Sequence, residues 1–265
     1  MSLTREYFAA LRRTLPQQSP NFWCSEEYFE KAGWAVAEHG PWKGSSDAAW
    51  YLVMDDTGKN MLPAVEKTGM GVWYRNCWAG FSTMDPARAK TGVDFLDYEF
   101  IYRPSDFMDL SGGAWHTTRK NMRWAEKDAG EGFQLWPAVS EAAIEELVTA
   151  WSEDSGEAEY YDPEIMLKYL FHGRNRQFVV GVSGRLYGIL AWDSNWRYIN
   201  FRYCVVRPGI RGLSDTARVM FYRFLQVRCF PGLLVNDGGS LDRPGLHRYK
   251  TRLNPFQVNQ IFTFK

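Results

Sequence analysis

The sequence predicts an α+β protein in two halves, the second starting near residue 131, with mixed, mostly antiparallel sheets flanked by helices. Three observations carry this. The second half deals its apolar residues as strand, helix, helix, three strands, helix and strand. The first half carries short alternating runs separated by turn residues, the pattern of an antiparallel meander. Between them, Gly130-Glu131-Gly132 interrupts both patterns and marks the boundary between 1–130 and 131–265.

In chain order, residues 1–15 predict an amphipathic helix with Tyr7, Phe8, Leu11 and Leu15 on its apolar side, closed by Pro16. Residues 25–37 predict a second helix, with Ser25 as N-cap and Phe29, Ala32 and Val36 at helical spacing. Strands are expected at 48–53 and 71–78, with a turn at Asp55 to Gly58 between them. Asp85-Pro86 starts a short helix, and Phe95 to Tyr102 is the most strand-like run of this half. Ser105 is the expected cap of a short helix over 106–110, and a longer helix runs from Ala114 to Lys127.

In the second half a strand is expected at 133–139. A helix over 140–152 follows, carrying Ile144, Leu147, Val148 and Trp151 on one face, and then a helix over 162–172 capped by Asp162. Strands at 177–182, 186–192 and 198–206 are joined by tight turns at Ser183-Gly184 and Asp193 to Asn195. A helix over 214–228 should bury Ala217, Met220, Phe221, Phe224 and Leu225, and the final strand is Leu233 to Val235.

Composition narrows the functional classes. With 265 residues, 45% of them apolar and 16% aromatic, the chain has ample material for a core. No apolar run approaches the roughly 18 residues of a membrane span, and Arg5, Arg12 and Arg13 interrupt any leader-like core, so a cytoplasmic setting is expected. Cys24, Cys77, Cys204 and Cys229 form no CxxC pair, which argues against a zinc knuckle and a disulfide framework. The four histidines lack metal-ligand spacing, so no metal is expected. Net charge is zero but unevenly dealt: residues 140–164 carry nine acids and no base, whereas 197–252 carry eleven Lys or Arg against Asp215, Asp237 and Asp242. The basic half could face a phosphate-bearing ligand, or its arginines could be a solvated surface and partners for the acidic helix.

The stretch Leu233 to Pro255 reads LLVNDGGSLDRPGLHRYKTRLNP. A buried run breaks at Asn236-Asp237-Gly238-Gly239, and Leu246, Tyr249 and Leu253 then share one helical face. This stretch resembles the end of the catalytic domain of the phosphatidylglycerol lysyltransferase family and its tandem acetyltransferase-like (GNAT-fold) relatives. The matching residues are Asn236, Gly238, Leu241, Gly245, Leu246, Tyr249, Lys250, Asn254 and Pro255. A second match runs from Phe95 to Trp124, through His116, Arg119, Lys120 and Asn121.

The resemblance implies two GNAT-like halves, the first shortened and the second carrying the site. It implies an acyl- or aminoacyl-transferase that moves its group from acetyl-CoA or aminoacyl-tRNA to an amine or hydroxyl acceptor. Coenzyme A is held in this fold by a Gln/Arg-x-x-Gly-x-Gly/Ala loop before the central helix. Here the loop is Gly209-Ile210-Arg211-Gly212-Leu213-Ser214, where only the middle glycine matches, although Arg211 and the N–H groups of Gly212, Leu213 and Ser214 still suit phosphate. Lys250, kept by the family's motif, would supply positive charge at a developing oxyanion or at tRNA phosphate, with Arg248 at the rim and Tyr249 beside it. Asn236 and Asp237 stand where the splayed sheet opens. Asp237 would be a general base or amino-group ligand, the alternative being an Asx turn that closes the strand. The strand that often carries a catalytic Glu has only Arg202 and Tyr203 as polar candidates. His116 and Arg119 would close a basic helix on an anionic substrate, with Trp115 and Trp124 as possible stacking platforms. Two rival readings are a non-catalytic module that binds a nucleotide, RNA or a peptide through the basic face, and an enzyme of the same fold acting on a modified nucleobase in DNA.

Overall fold

The computed structural model describes residues 3–14, 25–32, 35–39, 50–54, 60–66, 72–73, 78–79, 93–155, 163–173, 175–195, 198–228, 232–241 and 243–264. The expected turn at Asp55 to Gly58, the helix start at Asp85-Pro86 and the Asp162 cap lie outside them.

Helices α1 (Leu3–Thr14) and α2 (Glu26–Ala32) open the chain. Tyr7 and Phe8 of α1 are buried against Phe29 of α2, with Phe8 and Phe29 edge to face at 4.8 Å. Ser25 caps α2 as expected, its Oγ accepting the Tyr28 N–H at 3.1 Å. That helix is shorter than its spacing suggested. Val36 belongs instead to strand β1 (Ala35–His39), whose register with β2 (Trp50–Met54) runs from Ala35↔Met54 to His39↔Trp50. A continuous ladder outweighs the helical spacing of one valine, itself a good strand former. With β3 (Asn60–Glu66) and β4 (Val72–Trp73) these strands form a four-stranded antiparallel meander in sequence order. The sequence pattern did not mark β3, because Pro63 lacks the N–H of a ladder residue.

The main sheet has eight strands in the order β5-β12-β6-β11-β10-β9-β8-β7. They are β5 (Trp78–Ala79), β6 (Val93–Tyr102), β7 (Phe133–Trp136), β8 (Arg176–Gly181), β9 (Leu186–Ser194), β10 (Ile199–Val206), β11 (Val235–Asn236) and β12 (Gln257–Phe264). All neighbours are antiparallel except β10 and β11, which run parallel. The fold class is thus the expected α+β with mixed, mostly antiparallel sheets. Leu233 to Val235 is not the final strand. The last is β12, which returns to pair with β6 from Gln257↔Ile101 to Phe264↔Val93. Its pattern hides it: Val258 is 42% exposed while the polar Asn259 is buried, the reverse of ordinary strand patterning.

The remaining helices are α3 (His116–Ala129), α4 (Glu141–Ser155), α5 (Pro163–His172), α6 (Leu213–Arg228) and α7 (Pro244–Arg252). Before α3 a 3₁₀ turn spans Pro104–Phe107, with Arg103 at its cap position, so Ser105 lies inside the turn and caps nothing. Asp193 and Ser194 likewise belong to β9 rather than to a turn.

Two cores sandwich the sheet. Ile144, Leu147 and Val148 of α4 and Met166 and Leu170 of α5 pack with Tyr7, Phe8 and Phe29 on Phe178, Val180, Ile189 and Val205. On the other face Ala217, Phe221 and Leu225 of α6 pack on Val179, Leu190 and Phe201. Alternation along each strand sends successive residues to opposite cores. Phe201 and Tyr203 break that rule, sitting in different cores although they are two residues apart. A register shift between them in the β9–β10 ladder is the cause, a bulge at Arg202.

Candidate active site

Strands β10 and β11 touch at only two positions, Ile199↔Val235 and Asn200↔Asn236. Beyond them β10 continues to Val206, while the chain after β11 stays bonded to β6, with Asp237 N–H donating to the Phe100 carbonyl and Phe100 N–H to that of Gly238, before it leads to α7. The parting opens a cavity of about 590 Å³ at the ends of two parallel strands, the usual place for a ligand in a sheet with helices on its faces. β10 from Arg202 to Val206 forms one wall, Ser214 and Arg218 of α6 another, and Leu246, Tyr249 and Lys250 of α7 a third, with Trp151 and Met166 completing it.

Asp237 and Lys250, both candidates from the sequence, line this one cavity. Both are buried, with Lys250 Nζ 3.3 Å from Asp237 Oδ1 and donating to the Asp237 carbonyl oxygen. The carboxylate also accepts Arg218 Nε at 2.9 Å and the Tyr222 hydroxyl at 3.0 Å. Burial would raise its pKa, but Arg218 and Lys250 outweigh burial and hold it below the usual carboxylate range. A carboxylate so depressed and so fully hydrogen-bonded is a poor proton acceptor. The chemistry of this site therefore does not suit Asp237 to the role of general base, and its geometry makes it the anchor of two cations. It forms no Asx turn either. Asn236 does, its Oδ1 accepting the Gly238 N–H at 2.9 Å while its Nδ2 donates to Glu99 at 2.9 Å, which ties the side chain away from the cavity.

Tyr203 lines the cavity at the bulge, beside Arg202. Asp193 holds the Arg202 guanidinium through Nε at 2.5 Å and Nη2 at 3.0 Å, and also accepts Asn200 Nδ2 at 3.0 Å. Asp193, read as turn chemistry, is thus a buried counter-ion. Burial acts to lower the Arg202 pKa, but Asp193 outweighs it and keeps the guanidinium charged.

The loop expected to cradle phosphate is arranged otherwise. Arg211 is exposed, stacks on the Trp124 ring at 3.9 Å and lies 3.7 Å from Asp128 of α3. Its amide donates to the same carboxylate at 3.3 Å. Gly212 holds φ +80° against α3, where a Cβ would stand 2.2 Å from the Asn121 carbonyl oxygen, and Leu213 is buried. Of the four residues only Ser214 reaches the cavity.

The basic helix is also set apart. Arg119 donates to the carbonyls of Leu110 and Gly112, and lines a separate groove of about 530 Å³ with Arg123, Glu126 and Arg223. His116 and Arg248 are exposed and line neither cavity. Tyr249 does line the first one. Its hydroxyl is buried and has no hydrogen-bond partner among the described residues, and burial above all raises its pKa, so it stays a protonated donor.

Sequence reasoning missed Arg218, Tyr222 and Arg243. The signal for the first two was present: Ser214, Arg218 and Tyr222 recur every four residues, which puts a charge in the apolar stripe of α6. Burial acts to lower the Arg218 pKa, and Asp237 more than reverses it. Arg243 lies on the loop before α7 and completes the set. Among the described residues, four cationic side chains line the cavity (Arg202, Arg218, Arg243 and Lys250) against one carboxylate, Asp237. Among these residues, too, no group of three or more His, Cys, Asp or Glu side chains is placed to hold a metal, and no helix is long and apolar enough to cross a membrane.

No family model and no curated protein sequence matches the chain. Solved structures do. L-PGS from Bacillus licheniformis superposes with a TM-score of 0.62 at 10% identity, covering 98% of this chain and 91% of that one. A conserved protein of unknown function from Bacteroides thetaiotaomicron gives 0.60 at 11% identity, covering 99% and 96%. The C-terminal domain (DUF2156) of a putative lysylphosphatidylglycerol synthetase from Agrobacterium fabrum gives 0.57 at 12%, covering 99% and 91%. At such identities the likeness establishes the fold, the GNAT-like one that the sequence motifs implied.

Proposed function

We propose that this chain transfers an aminoacyl group from aminoacyl-tRNA to an amine or hydroxyl acceptor, in the cavity where β10 and β11 part. The observation that carries the reading is the convergence of Lys250, Arg218 and Tyr249 on one cavity at the ends of the parallel strands. It agrees with a fold shared with L-PGS and with the C-terminal domain of a protein named as a lysylphosphatidylglycerol synthetase.

The reaction asks little of the protein, since the ester is already activated. The acceptor nitrogen or oxygen attacks the ester carbonyl, the bond to the tRNA ribose oxygen breaks, and the acceptor's proton ends on that leaving oxygen. Lys250 and Arg218 supply positive charge for the oxyanion in a partly desolvated site, and Asp237 holds both in place. The Tyr249 hydroxyl, unpartnered among the described residues, donates to the reacting group. Positioning of the two substrates supplies the remainder of the rate enhancement.

Asp128 is what favours tRNA over coenzyme A as donor. A carboxylate of the protein binds the amide and guanidinium of Arg211, the groups a pyrophosphate would need at the start of α6. Thermal-shift titration tests the choice. Aminoacyl-tRNA should raise the melting temperature of the wild type and not of Lys250→Met, while coenzyme A and acetyl-CoA leave both unmoved. A shift with acetyl-CoA alone would replace this donor.

A further inference from the structure

We infer that Arg252 is a positioning residue for the transfer: together with Asp215 it fixes the ring of Tyr249, and α3 reaches the site through this pair. The inference rests on the reading above, in which the Tyr249 hydroxyl donates to the reacting group. A hydroxyl with no partner among the described residues is not aimed by hydrogen bonds of its own, so contacts to the ring must aim it. Two of those contacts are cationic. The guanidinium carbons of Arg218 and Arg252 each stand 5.1 Å from the centre of the Tyr249 ring, within reach of a cation–π attraction. Arg218 comes from α6. Arg252 comes from α7 itself, three residues beyond Tyr249 and hence beside it on the helix surface.

Each cation is held by its own buried carboxylate, so neither is free to swing away from the ring. Asp237 holds Arg218, and Asp215, only 2% exposed, receives Arg252 Nη2 at 2.8 and 3.1 Å. Helix α3 supports the second pair from outside. Arg252 Nη1 donates to Thr118 Oγ1 at 3.2 Å, and Asn121 Nδ2 donates to Asp215 Oδ2 at 2.5 Å. Asn121 belongs to the motif read in the first half, whose His116 and Arg119 line no part of this cavity, and its bond to Asp215 is how that stretch reaches the site. A guanidinium suits the task, because its planar fork engages Asp215 and Thr118 together while it lies beside the ring. A lysine ammonium, a point charge on a flexible stem, cannot do all three. Arg252 itself does not line the cavity, so its influence on a ligand there passes through Tyr249.

Two readouts on the whole protein test this. In the first, fluorotyrosine replaces tyrosine throughout, and the fluorine NMR line of Tyr249 is assigned by its absence in Tyr249→Phe. Arg252→Met should shift or broaden that line, and Arg252→Lys, which keeps a cation beside Asp215 and so protects the fold, should do the same to a smaller extent. In the second, a double-mutant cycle compares kcat/KM for aminoacyl-tRNA consumption in wild type, Arg252→Met, Tyr249→Phe and the double variant. Each single change is expected to lower it by about tenfold, and the double variant should be no slower than Tyr249→Phe alone. A merely structural Arg252 would make the two losses multiply. Where Arg252→Met does not fold, Arg252→Lys takes its place in the cycle with the same expected non-additivity. A Tyr249 line unmoved in both Arg252 variants, or losses that multiply, would overturn the inference. The two readings fail separately: a wild type that consumes no aminoacyl-tRNA removes the transfer reading, while the fluorine line still reports whether Arg252 holds the ring.

Discussion

Arg218 of α6 and Asp237, the residue after β11, meet with Nε 2.9 Å from Oδ2, and this pair ties the central helix to the strand end where the sheet parts. Tyr222 and Lys250 complete the cluster from one helical turn further on and from α7. Because the cluster is buried, removal of one partner leaves an uncompensated charge rather than a mere gap.

Arg218→Met should therefore destabilise the fold by about 3 kcal/mol, the lower end of the range for breaking a buried ion pair, since Lys250 still faces Asp237. Equilibrium urea unfolding measures it. A loss below about 1 kcal/mol, the size typical of an exposed pair, would show that the pair is not desolvated.

Asp237 also sets a pH dependence. Its folded pKa lies below the ordinary value of about 3.9, so its stabilisation is fully present above that value and is lost as pH falls through the lower folded value. The stability difference between wild type and Asp237→Asn should be constant from pH 7 to about 5 and shrink below about 4. Urea midpoints across that window check the sign, and a difference that grows on acidification would contradict it.

Tyr249→Phe separates folding from binding. The hydroxyl has no partner among the described residues, so its removal should leave stability unchanged or slightly improved. Ligand affinity in the cavity should fall. Melting temperature and titration calorimetry on one preparation read both effects.

The glycine before α6 is a geometric requirement. At Gly212, φ is +80° and a Cβ would overlap the Asn121 carbonyl oxygen, so Gly212→Ala should cost about 2 kcal/mol or more. Arg211→Ala, one residue earlier, removes an exposed ion pair and should cost less than about 1 kcal/mol. Chemical denaturation of the two variants side by side tests the contrast.

How much of this was legible in the sequence depends on whether a feature is local. The cap at Ser25, the apolar stripe of α4 and the β8–β10 order follow from spacing and short-range hydrogen bonding, and they stand in the structure. β12 and β3 escaped because one is inverted in polarity and the other contains Pro63, so tertiary pairing decides them. The motif around Lys250 located the cavity. What sits opposite was hidden, because Arg218 is 19 residues from Asp237 in sequence and only the fold brings them together. The Arg211 loop read as a phosphate site because its composition suits one, and only the packing of α3 puts Asp128 on its amide.

The most direct test of the central claim, that acyl transfer runs in the cavity between β10 and α7, is consumption of labelled aminoacyl-tRNA in the presence of a panel of small amines and alcohols. Wild type should turn over, Lys250→Met should fall by about 100-fold or more, as when one oxyanion-stabilising donor is removed, and Arg211→Ala should match wild type. Activity that survives Lys250→Met but disappears in Arg211→Ala would move the chemistry to the start of α6 and contradict the account.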